Sequence, residues 1–183
     1  AGRSAHPPTS PPVSEQHPDD WWHAFGGALA AALGAAGLRA SDVDAVSVAA
    51  QCHGLVLLDR DDRVLRPVKL WNDTTSAPQS HSMIERFGIP WWIEQIGVVP
   101  SAALTVTKLA WLAEHEPEVL ERTRKILLPH DWLVYALSGN LVTDRSEASG
   151  TGYYSAHTPA WREDILQQVV GERGRRDREK DRC

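Results

Sequence analysis

Cysteine is scarce in this chain, found at positions 52 and 183 alone. That excludes a disulfide framework and makes a reducing, cytoplasmic setting the expectation. Positive charge is not in excess either. The 19 lysines and arginines face 24 acids, for a net charge of −5, so charge gives no reason to expect nucleic acid as a partner. No apolar run approaches the roughly 18 residues that a membrane helix needs, so no membrane partner is expected. The start has no charged-then-apolar leader. Several catalytic signatures are also missing: Gly-x-x-x-x-Gly-Lys-Ser/Thr, Gly-x-Gly-x-x-Gly, Gly-x-Ser-x-Gly and His-Glu-x-x-His. Their absence removes the simplest P-loop, dinucleotide, hydrolase and zinc-protease readings.

With 183 residues, 42% of them hydrophobic, the chain has enough material for one real core. It is rich in tryptophan, with eight. Aromatic faces can stack on sugars, but burial preference assigns most of these rings to packing. Residues 1–18 are proline-rich without hydrophobic period and read as extended or disordered. Residues 172–183 carry interleaved charges of both signs and read as a solvated tail. The folded part is thus expected over 19–171.

Within it, Asp19 or Asp20 is placed to cap a helix. Trp22, Phe25, Leu29, Leu33 and Ala36 then follow at helical spacing up to Gly37. Residues 43–50, 54–58 and 64–71 read as strands, the last two joined as a hairpin by the polar turn 59–62. Ser76-Ala77-Pro78 suits a helix start, with Met83, Ile84 and Phe87 as its stripe and Gly88 as its stop. Residues 89–104 read as a loop with a short helix, and Thr105 or Thr107 as the cap of the next one. Pro117 starts a further helical turn. Residues 125–128 read as a buried strand, 129–137 as a helix, 141–143 as strand-like and 161–170 as the last helix. Alternating strands and helices predict an α/β architecture.

The segment 51–73 is the richest in chemistry. Gln51-Cys52-His53 stands between two strand patterns, where α/β sheets present polar groups to small ligands. Cys52 beside His53 is a poor nucleophile–base pair, because neighbours on an extended strand point to opposite faces. Zinc is disfavoured, since no second Cys/His pair stands at ligand spacing. His53 suits a polar ligand such as a sugar hydroxyl, and equally a core histidine satisfied by backbone. Asp73 suits ligand binding, a turn or a helix cap, and spacing favours the cap.

Read together, several segments resemble the xylulokinases of the FGGY carbohydrate kinase family. They are Glu15-Gln16-His17-Pro18-Asp19-Asp20-Trp21-Trp22, Gln51-Cys52-His53-Gly54, Leu65-Arg66-Pro67-Val68-Lys69-Leu70-Trp71-Asn72-Asp73, Lys108-Leu109-Ala110-Trp111-Leu112, Glu114-His115-Glu116-Pro117-Glu118, Leu127-Leu128-Pro129-His130-Asp131-Trp132-Leu133 and Thr143-Asp144-Arg145-Ser146-Glu147-Ala148-Ser149-Gly150-Thr151. The similarity runs from about residue 14 to 171 and keeps the family's order.

The resemblance implies an α/β fold: a partial actin-like (ribonuclease-H-like) domain, the N-terminal one of a two-domain sugar kinase. It implies ATP and Mg2+, D-xylulose as the small-molecule partner, D-xylulose 5-phosphate as product and a homodimer for the full-length enzyme. Cys52 and His53 stand where the family's Met-His pair contacts the ketopentose. The Gln-x-His-Gly form differs from the Asn-Gln-Arg-Glu pattern of glycerol kinases and favours xylulose over glycerol.

No catalytic residue or metal ligand of this chain is implied. The family's Asp-x-Gly-Thr strand, its aspartate base and its second domain are not matched here. The Pro-Gly-Phe-Thr-Ala-Pro-Lys loop stands as Ala102-Ala103-Leu104-Thr105-Val106-Thr107-Lys108, and the charged end departs from the family pattern. A truncated or frame-altered end and no kinase turnover by this chain alone are therefore the expectations. The competing expectation is a non-catalytic sugar-binding or interaction module on the same fold.

Overall fold

Leu55, Val56, Leu57 and Leu58 are consecutive and all buried, which places them in a strand covered on both faces. The computed structural model describes residues 13–171. Residues 56–58 form a central strand there, and the two-residue period of a strand splits this run between two cores. Leu55 and Leu57 join Met83, Trp92, Ile96, Leu109, Leu112 and Ile165 on one side. Val56 and Leu58 join Val68, Leu70, Leu127 and Trp132 on the other.

The strands are short: β1 (Glu15–Gln16), β2 (Val56–Leu58), β3 (Val68–Lys69) and β4 (Lys125–Leu127). β2 pairs antiparallel with β4, with Val56 opposite Leu127. β1 pairs antiparallel with β3, with Glu15 opposite Lys69. Bridges Leu58–Val64 and Leu55–Lys69 join the two pairs and give the expected hairpin around the turn at 59–62. Glu15 and Gln16, assigned by composition to the extended leader, are thus paired strand. Residues 1–12 and the charged tail 172–183, with Cys183, lie outside the described residues.

Helices cover this frame: α1 (Pro18–Ala36), α2 (Ala77–Phe87), α3 (Ile89–Ile96), α4 (Thr105–His115), α5 (Pro117–Arg122), α6 (Pro129–Ser138), α7 (Arg145–Ser149) and α8 (Glu163–Val170). In α1, His17 replaces the expected aspartate as cap, its Nδ1 accepting from the Asp19 N–H at 3.3 Å. Asp19 and Asp20 instead fill the first turn, where the helix dipole favours acids. Gly37 ends α1 in the left-handed region, φ 67°.

α4 is the most enclosed helix, with Thr105 to Ala110 and Leu112 all buried. Its N-cap is Leu104 rather than a threonine, and the Thr107 hydroxyl donates to the Ser101 and Leu104 carbonyls. Ser76 does stand at the N-cap of α2, but its side chain makes no cap bond and donates to the Ala102 carbonyl instead.

Two strand expectations fail. Residues 43–50 carry no regular structure beyond the short 3-10 turn that precedes them, and Val46 is 54% exposed. Apolar character specifies burial, yet a strand also needs a partner for its N–H and C=O groups. No described segment pairs with it. Residues 141–143 are likewise unpaired and exposed. Lys125–Leu127 of the expected 125–128 strand do form β4, but as an edge with Ile126 at the surface. Trp161, expected in the last helix, sits in β6 (Ala160–Trp161), paired with β5 (Tyr154–Ser155). It packs edge-on against Tyr154 with ring centres 5.1 Å apart.

Candidate functional site

His53 has a positive φ of 62°, a conformation uncommon outside glycine. The Gly54 N–H donates to the Cys52 carbonyl at 2.9 Å, closing a three-residue turn centred on the histidine, a rare and strained form. The chain therefore does not run extended through Cys52 and His53, as their reading as strand neighbours assumed. The turn precedes the strand region, and Gln51 points back to β1, its Nε2 donating to Gln16 Oε1 at 3.2 Å.

Three other segments close on this turn. From α4, Thr105 Oγ1 and Lys108 Nζ each donate to the His53 carbonyl at 3.2 Å. From the start of α6, Pro129 lies against Gly54, where an added Cβ would stand 2.6 Å from Pro129 Cγ. Gly54→Ala should therefore cost about 1–3 kcal/mol through overpacking, measurable as a lowered denaturant midpoint. At the end of α7, a Cβ on Gly150 would come within 2.0 Å of His53 Cε1 and 2.2 Å of Nδ1. The imidazole thus occupies the space that Gly150 leaves free.

His53 Nδ1 is buried without a hydrogen-bond partner. Burial, followed by the positive charge of Lys108, lowers the histidine pKa, and a hydrogen bond between the ring and the Gly150 backbone offsets part of this. The ring is consequently neutral at physiological pH and keeps one donor and one acceptor nitrogen. Cys52 beside it is half-buried with a free thiol.

Lys108 is wholly buried, and its amino group also reaches the Ala103 carbonyl. Burial brings its pKa down to about 7; Asp73 and Cys52 pull upward and Lys69 pushes downward. Sequence reading passed over this lysine because buried lysines are rare, and its spacing from His53 gives no local signal.

Asp73 neither caps α2 nor faces open space. It is fully buried, accepting from the Ser14 N–H at 2.9 Å and the Thr75 N–H at 3.0 Å, with Lys69 Nζ at 3.5 Å. Burial pushes its pKa up, but the Thr75 and Ser14 hydrogen bonds and the Lys69 charge outweigh this and hold it low. It ties Ser14, the residue before β1, to the turn after β3. Lys69 Nζ lies 3.8 Å from the Trp111 ring centre, so this tryptophan, like Trp92 and Trp132, serves packing.

Glu147, within α7, was also missed. Its Oε2 is buried without a partner. Burial raises its pKa, His130 opposes this, and Asp144 and Asp131 add to it. Among the described residues no group of three or more His, Cys, Asp or Glu could hold a metal ion, and no helix is long and apolar enough to cross a membrane.

Comparison with known proteins bears on this geometry. Residues 4–172 match the model of the FGGY family of carbohydrate kinases, N-terminal domain. The xylulose kinase of Streptomyces rubiginosus is 47% identical over 170 residues, covering 92% of this chain and 34% of that protein. The chain thus spans about a third of the length of the curated relatives it matches. The crystal structure of xylulose kinase from Bifidobacterium adolescentis superposes with a TM-score of 0.79 at 37% identity, over 90% of this chain and 37% of that one. The xyloylose kinase of Brucella ovis gives a TM-score of 0.83 at 33% identity, over 91% and 34%. The α/β fold is therefore the N-terminal, actin-like part of this kind of sugar kinase.

Proposed function

The chain belongs to the FGGY family of carbohydrate kinases, and on that premise we propose that it is the sugar-holding part of a xylulose kinase. The whole protein would phosphorylate D-xylulose with ATP to give D-xylulose 5-phosphate, in the cytoplasm. The observation that carries the reading is His53: a neutral imidazole, fixed on a strained turn, with a buried ring nitrogen that has no protein partner. Such a ring can donate to one sugar hydroxyl and accept from another. Cys52, half-buried beside it, would supply the adjoining contact. In phosphoryl transfer, positioning the acceptor hydroxyl is a large part of catalysis, so this contact would affect rate as well as affinity.

ATP and Mg2+ are implied by the family's activity. The described residues offer no ligand set for the metal. The work of these residues is to bind and orient the sugar.

Calorimetric titration of D-xylulose into the chain and into His53→Ala tests the proposal. A lost hydrogen bond between neutral groups is worth about 0.5–1.5 kcal/mol, and a buried partner left bare costs more. The variant should therefore bind at least several-fold more weakly. Equal affinity of the two proteins, or no heat from either, would count against the sugar contact.

A further inference from the structure

Two side chains of α4 converge on one main-chain oxygen. The His53 carbonyl receives Thr105 Oγ1 and Lys108 Nζ, each at 3.2 Å, and Lys108 also donates to the Ala103 carbonyl. Lys108 is 0% exposed. Its hydrogen bonds go to main-chain carbonyls and not to a carboxylate. A buried cation so partnered is costly, and the simpler core solution at that position is an apolar residue. What Lys108 holds is the unusual element: the turn at φ 62°, closed by the Gly54 N–H to Cys52 carbonyl bond. The turn's own sequence offers no glycine at the strained position, so its conformation must be imposed by its surroundings.

We infer that Lys108 is a positioning residue: its buried amino group pins the His53 turn to the start of α4 and so fixes the direction in which the imidazole points. The link to sugar binding rests on the proposed contact of His53 with the sugar; the link to the turn does not. The charged or titratable groups around Lys108 are Asp73, Lys69 and Cys52. Around His53 the charged group is Lys108, and the Gly150 backbone hydrogen-bonds to the ring. Removing the lysine thus removes a cation from the histidine's surroundings and a tether from its turn, and both effects can be read without a sugar.

The test uses the 183-residue chain with labelled histidines, as wild type, Lys108→Met and Thr105→Val. In Lys108→Met the His53 Cε1–H resonance should titrate at a higher pH than in wild type. The Gly54 amide should exchange with solvent about tenfold faster or more, as the turn loses its tether. Thr105→Val removes the uncharged donor to the same carbonyl. It should speed Gly54 exchange in the same direction, by a smaller factor, with little change in the His53 titration.

A merely structural lysine would lower the melting temperature while leaving the Gly54 exchange and His53 titration at their wild-type values, and that result would overturn the inference. If Lys108→Met does not fold, Lys108→Gln takes its place in the same two measurements, and wild-type Gly54 exchange and His53 titration there would also overturn it. D-xylulose titration of the same proteins separates the two claims. Failure of wild type to bind removes the sugar reading and leaves the turn measurements standing. Binding by wild type, with an unchanged turn in both variants, removes the role of Lys108.

Discussion

Gly150→Ala is expected to weaken D-xylulose binding by about tenfold or more, the loss of at least one good hydrogen bond, while the fold persists. The added Cβ would stand 2.0 Å from His53 Cε1, far inside contact distance. Something must move, and the atoms in the way are the far end of a rotatable side chain. The ring can swing aside at a cost of about 0.5–1.5 kcal/mol for an off-rotamer χ angle. Gly150 itself has φ −82°, so alanine meets no backbone strain there. The expected pattern is therefore a melting temperature close to wild type with affinity greatly reduced, checked by calorimetry alongside thermal unfolding. A variant that unfolds, or one that binds as well as wild type, would show that the ring's placement against Gly150 does not govern the site.

The second large effect concerns pH. Lys108 has a folded pKa of about 7 against an ordinary value of 10.5. Between these values the unfolded chain holds a proton on this lysine that the folded chain has released, so raising the pH favours the folded state. Stability should rise through this window, by at most about 1.4 kcal/mol per pH unit from this group. Below pH 7 the full penalty of burying the charge is present, and above 10.5 it is gone. Denaturant midpoints measured from pH 7 to pH 10 should climb in wild type and climb less steeply in Lys108→Met. The difference between the two proteins isolates Lys108 from other groups that titrate there. Parallel curves would mean that the lysine is not held neutral by its burial.

Much of the frame was legible because local signals agreed with tertiary packing. The helix from Pro129 closed by Gly139 carried both a period and a stop and packs on the core through Trp132. The stripe from Trp22 to Ala36 gave the helix and its Gly37 stop but not burial, since α1 buries only Pro18. The run at residues 43–50 misled because hydrophobicity reports a wish for burial and says nothing about which strand will satisfy the backbone. The His53 turn was not legible for a different reason. Its positive φ is not carried by a glycine at that position; it is held by Thr105 and Lys108, far away in sequence. Cys52 and His53 stood out as residue types in a pattern, whereas the geometry of their turn depends on α4, Pro129 and Gly150. Asp73 was misassigned as a cap because a carboxylate a few residues before a helix looks the same whether it serves the helix or, as here, the Ser14 amide.

Adding D-xylulose to the histidine-labelled chain while following the His53 ring resonances reads the proposed sugar contact itself. The His53 Cε1–H signal should move in a saturable way, with glycerol far less effective at the same concentration, and the other histidines should stay in place. A His53 signal unmoved at saturating D-xylulose, or moved equally by glycerol, would contradict that contact.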